Sequence, residues 1–121
     1  MLVRRLSDCD EFVAGDGSIL REFLHPDKAG AAVGYSLARA TVPAGRETVP
    51  HRLRTAEVYY ILRGRGRMHI NAESAPVEAD CMVYIPPGST QQIRNTGTDD
   101  LVFLCIVDPA WQPDDEEIVG S

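Results

Sequence analysis

An all-β domain, closed into a barrel or a two-sheet sandwich with little helix, is the fold this sequence predicts. Three observations predict it. Turn signals interrupt the chain at short intervals, at Gly15-Asp16-Gly17, His25-Pro26-Asp27, Pro43-Ala44-Gly45, Gly64-Arg65-Gly66, Asn71-Ala72, Pro86-Pro87-Gly88 and Asn95-Thr96-Gly97. The runs between them are short and rich in β-branched and aromatic residues, as in sandwiches and barrels of many brief strands. No stretch carries the 3.6-residue apolar stripe of an amphipathic helix.

Strands are expected over 18–24, 35–42, 57–63, 67–71, 82–85, 91–95 and 101–107. Gly64-Arg65-Gly66 reads as a hairpin turn between the third and fourth of these. The last run, Leu-Val-Phe-Leu-Cys-Ile-Val, is apolar on both faces, whereas an antiparallel strand with one wet face alternates. Something other than water therefore covers its second face. A partner subunit, giving a homodimer, is the preferred reading, and cover by the N-terminal segment is the alternative. The chain divides into a 1–33 N-terminal segment with one strand, packing on the barrel or on the partner, a 34–110 barrel, and a 111–121 acidic tail. The tail, Pro113-Asp114-Asp115-Glu116-Glu117, is expected in solvent, with Trp111 anchoring its start.

Composition bounds the function. The 121 residues, 44% apolar and 25% charged, suit one soluble domain with its own core. A net charge of −6 and a pI near 4.9 repel phosphate and argue against nucleic acid. The cysteines, Cys9, Cys81 and Cys105, are odd in number and lack CxxC spacing, so they read as small buried hydrophobes and not as disulfides or metal ligands. Met1–Leu6 is basic, but Asp8, Asp10 and Glu11 follow where a signal peptide has its apolar region. No apolar run approaches the roughly 20 residues of a membrane helix. A cytoplasmic protein without membrane or nucleic-acid partners is expected.

Two segments carry chemistry. Residues 45–64 read Gly45-RETVP-His51-Arg52-Leu53-RTA-Glu57-VYYILR-Gly64, and residues 86–95 read Pro86-Pro87-Gly88-ST-Gln91-QIR-Asn95. Alternate residues of a strand share a face, so His51 and Leu53 point to the same side. Glu57 follows after a short connection, with Tyr59 in its phase, and residue 91 arrives from a second strand after a Pro-Gly turn. Side chains from two hairpins thus meet at one place.

These segments resemble the two motifs of the cupins, Gly-x5-His-x-His-x3/4-Glu-x6-Gly and Pro-x-Gly-x2-His-x3-Asn. The resemblance implies a jelly-roll β-barrel with a divalent metal held by three histidines and a glutamate in its mouth. Carried over residue by residue, it makes His51, Glu57 and Gln91 the candidate metal ligands. Leu53 stands at the second histidine position and Gln91 at the third, and the glycine opening the second motif is absent: Asp80 stands there, or the strand carries one extra residue after Ala79-Asp80. Zinc, manganese, iron and nickel all suit mixed nitrogen and oxygen donors. Metal occupancy stands level with a metal-free pocket, in which His51, Glu57 and Gln91 hydrogen-bond a ligand or one another.

The remaining candidates are weaker. Tyr59 either assists proton transfer in the pocket or belongs to the core, and Tyr60, on the opposite face, suits a dimer contact. His69 lies between Met68 and Ile70 and is expected to face out, while His25 reads as a loop residue. Arg63, Arg65 and Arg67 alternate as one strand face opposite acidic groups rather than as an anion site. No Gly-rich phosphate loop or serine-nucleophile arrangement is present. Two functions follow. One is a metal-dependent isomerase or oxygenase-like enzyme acting on a small sugar-like or enolisable compound. The other is a non-catalytic binding or sensing module with a degenerate metal site. A purely structural oligomerising domain ranks third.

Overall fold

Two antiparallel sheets face each other in the computed structural model, which describes residues 1–120. In chain order the strands are β1 (Glu11–Val13), β2 (Ile19–Leu24), β3 (Ser36–Val42), β4 (His51–Leu53), β5 (Ala56–Arg63), β6 (Arg65–Ile70), β7 (Glu73–Glu78), β8 (Met82–Ile85), β9 (Thr90–Asn95), β10 (Leu101–Asp108) and β11 (Glu116–Ile118). One helical turn, α1 (Pro26–Ala29), follows β2. The sheets run β1-β2-β3-β10-β5-β8 and β11-β4-β9-β6-β7, a two-sheet jelly roll.

The expected all-β architecture is present, and four strands, β1, β4, β7 and β11, join the seven expected ranges; β4 carries the His51 and Leu53 alternation read from the first motif. β1 is three residues long, too short to show a period. β7 contains Pro76 and three charged or hydroxyl residues; it is the last strand of its sheet, where a missing N–H is tolerated. β11 lies in the tail that its charge assigned to solvent. It pairs with β4 in the register Glu116↔Leu53, Glu117↔Arg52 and Ile118↔His51, so the tail is part of the barrel. The first 33 residues likewise contribute two strands to the larger sheet.

Gly64 is a corner between sheets and not a hairpin turn. β5 pairs with β10 and β8, whereas β6 pairs with β7 and β9. The chain crosses over at Gly64 with φ +85°, and a Cβ there would meet the backbone oxygen of Asp100 at 2.5 Å. Only glycine serves both demands. The crossing also parts Arg63 from Arg65 and Arg67. Arg63 lies 3.7 Å from Asp100, and the three do not form one row.

Inward residues of both sheets fill one half of the interior: Ala40, Val42, Ile61, Met68, Ile93, Leu101 and Phe103 are all nearly solvent-free. β10 runs between β3 and β5. Its inner face carries Phe103, Cys105 and Val107, and its outer face Val102, fully buried, with Leu104 and Ile106 half-buried. Cys9 and Cys105 are buried free thiols, and Cys81 is half-buried. His25 is buried and structural: its Nδ1 accepts from the Asp27 N–H at 3.2 Å and its Nε2 lies 2.7 Å from the Trp111 carbonyl. His69 is half-buried, paired across strands with Ser74 and Gln92. Asn95, the last residue of the second motif, is a brace, its Nδ2 donating to the carbonyls of Val42 (2.9 Å) and Asp99 (2.8 Å).

Asp80 explains the glycine missing from the second motif. Its φ is +69°, the left-handed region that glycine takes freely and aspartate tolerates. Its carboxylate accepts the Tyr60 hydroxyl at 2.8 Å.

Candidate functional site

The other half of the interior is a cavity of about 330 Å³ between the sheets. Strand alternation delivers its chemistry. From the smaller sheet, β4 sends in His51 and Leu53; from the larger, β5 sends in Glu57 and Tyr59. Phe103 and Tyr59 form the floor, their rings tilted 39° with centroids 4.4 Å apart. The walls are completed by residues of the two terminal segments: Phe12 and Asp16 from β1 and the loop after it, and Trp111 and Glu116 from the tail.

Glu57, Gln91, His51 and Asp16 are each fixed by a partner. Gln91 is Cα-paired with His51 across β4 and β9, and its amide Nε2 reaches across to donate to Glu57 Oε1 at 2.9 Å. This bond ties the two sheets together. Gln91 itself stands behind Glu57 and off the cavity wall, and its Oε1 is buried without a protein partner. His51 Nδ1 donates to the Val49 carbonyl at 2.8 Å, which leaves Nε2 facing the cavity. There Asp16 Oδ2 lies 3.5 Å away, an ion pair whenever the imidazole carries its second proton.

Asp16 is the residue that sequence reasoning missed. It was legible only as part of a Gly-Asp-Gly turn, and the turn is indeed what holds it. Its Oδ1 accepts both the N–H (2.9 Å) and the hydroxyl (2.6 Å) of Ser18, a side-chain turn typical of aspartate. Its carbonyl accepts the Val49 N–H at 2.7 Å, docking the loop beside β4. Glu116 was hidden by the acidic run around it. Trp111 Nε1 donates to its Oε2 at 3.1 Å, and β11 pairing brings it to the cavity.

The electrostatics follow from this enclosure. Burial pushes the Glu57 carboxyl up to about 8; the Gln91 bond opposes the rise, and the Asp16 and Glu116 carboxylates add to it. Glu57 therefore holds a proton at neutral pH. Burial also raises the Tyr59 hydroxyl and the Cys105 thiol well above their ordinary values, with the Glu57 charge contributing to both. A protonated carboxyl on a cavity wall can donate a hydrogen bond to a ligand oxygen or pass it a proton.

The family follows from the match of residues 38–107 to the model of the Cupin domain family. The chain belongs to the cupins. An uncharacterised protein of Methanocaldococcus jannaschii is 41% identical over 89% of this chain and 86% of its own length. The oxalate-binding protein of Thermotoga maritima is 35% identical over 58% of this chain and 59% of that protein. Among solved structures, a predicted oxalate decarboxylase from Thermotoga maritima superposes with a TM-score of 0.77 and 26% identity, covering 89% of this chain and 99% of that one. The cupin motifs thus map onto the cavity: first-motif positions 51, 53 and 57 line it, and second-motif position 91 supports it from behind.

Proposed function

We propose that this cupin binds a small molecule in the cavity between its sheets, and that its metal position has been given over to hydrogen bonding. The single observation that carries the reading is the pairing of the would-be ligands inside the protein. Gln91 Nε2 is directed to Glu57, and His51 Nε2 faces the Asp16 carboxylate. The metal implied by the resemblance would draw on His51, Glu57 and Gln91. That donor set fits poorly, because Leu53 is buried in place of an imidazole and the Gln91 amide is turned to Glu57. The acceptor left over, Gln91 Oε1, is a weak amide oxygen. Among the described residues no three His, Cys, Asp or Glu side chains come together as a metal-holding group.

The binding module is therefore favoured over a metal-dependent isomerase or oxygenase. A second reading, proton transfer to the bound compound, rests on Glu57, with Tyr59 next along the same strand face. A homodimer remains part of the proposal. The outer face of the larger sheet exposes Tyr60, Leu62, Met82 and Tyr84 beside the half-buried Leu104 and Ile106, an apolar patch of the kind that marks an interface.

Metal content tests the reading. Protein purified without chelators or affinity metals should contain no stoichiometric metal, and zinc, manganese, iron or nickel should leave its melting temperature unchanged. Leu53→His, which restores a nitrogen donor, should introduce a metal-dependent rise. One equivalent of metal in the unaltered protein, lost in His51→Ala, would overturn the proposal.

A further inference from the structure

We propose that the cavity selects an organic cation, with an ammonium or quaternary ammonium group seated between the Asp16 and Glu116 carboxylates and the aromatic walls. The inference rests on the cavity being the ligand site and names the class of ligand it takes. Charge is the first argument. Four carboxyl groups line the cavity, Asp16, Glu22, Glu57 and Glu116, against Lys28 and His51, and no arginine is among the lining residues. Lys28 is held by Glu22 at 2.8 Å, which removes that pair from the count. The remaining field is negative and disfavours a dicarboxylate such as the oxalate for which the Thermotoga relative is named.

The walls are the second argument. Phe12, Tyr59, Phe103 and Trp111 surround the cavity, and the face of an aromatic ring attracts a cation. Tyr59 is 3% exposed and lies on the wall, and its hydroxyl has no protein partner among the described residues. The carboxylates are also set in advance. Ser18 fixes one oxygen of Asp16 and Trp111 fixes one oxygen of Glu116, so little ordering is left for binding to impose. Among the described residues no three His, Cys, Asp or Glu side chains come together as a metal-holding group. That suits a bulky cation with apolar sides better than a point ion.

The test uses the full chain and three probes of one shape: choline, its uncharged isostere 3,3-dimethylbutan-1-ol, and 3,3-dimethylbutanoate. Calorimetry gives the affinity of each. Choline should bind about tenfold or more tighter than the alcohol, and the carboxylate should bind weakest. Asp16→Asn keeps the acceptor for Ser18 and removes the charge, so it should cut the preference for choline over the alcohol while the alcohol's affinity stays level. Tighter binding of the alcohol or of the carboxylate would overturn the cation preference and leave the small-molecule pocket standing. Binding of zinc or manganese alone, in competition with choline, would replace the organic cation with a metal. Failure of every probe to bind would overturn this inference and leave the binding function to the metal test above.

Discussion

Glu57→Gln isolates the energetic consequence of burying a carboxyl group beside two carboxylates. In the unfolded chain this group titrates at its ordinary 4.5, and in the fold at about 8. Between those values the folded protein binds the proton and the unfolded chain does not, so stability falls as pH rises across the window. Glu57 imposes no penalty below pH 4.5 and its full penalty above pH 8. At 1.36 kcal/mol per pH decade, the gap from 4.5 to 8 amounts to about 5 kcal/mol as a ceiling. Glutamine at 57 keeps the acceptor for Gln91 Nε2 and does not titrate. Every other group is common to both proteins, so the difference in unfolding free energy between them reads Glu57 alone. Urea unfolding of the pair from pH 5 to 8.5 should show the variant gaining on the unaltered protein by about 1 kcal/mol or more per pH decade through the middle of the window. Parallel stability profiles would refute the claim that Glu57 is protonated in the native cavity.

Two further predictions concern the scaffold. Gly64→Ala places a Cβ against the Asp100 carbonyl at φ +85° and should cost at least about 2 kcal/mol in chemical denaturation, whereas Gly17→Ala, also at positive φ but with open space around it, should cost less. Met82→Lys with Tyr84→Lys puts charge on the exposed outer sheet face. Light scattering should show the unaltered protein as a dimer and this variant as a folded monomer; a monomer in both would remove the interface.

Much of the barrel was legible along the chain because its causes are local. Turn residues spaced a strand apart, and β-branched and aromatic runs between them, predict short strands whatever surrounds them. Strand alternation puts 51 with 53 and 57 with 59 on one face each, and the structure does turn all four to the cavity. Sequence spacing also singled out position 91. It did not show that this glutamine would spend its amide on Glu57, since that bond runs between sheets.

What only the tertiary structure decided are the things set by register and by closure. Gly64 looks like a hairpin turn in sequence and is a corner, because the partners of β5 and β6 are distant strands. Glu116 sits in a run of charges that reads as solvated, and pairing of β11 with β4 turns it inward. Asp16 lies 35 residues before His51, in a turn whose composition says nothing about what it faces; the backbone bond to Val49 carries it to the imidazole. By itself the sequence determined seven of the strands, the barrel and most of the cavity-lining phase, because these depend on spacing within each hairpin. The charge of the cavity arises from carboxyl groups contributed by both ends of the chain, and the raised Glu57 carboxyl comes first from burial and then from those carboxylates; both exist only once the two sheets have closed.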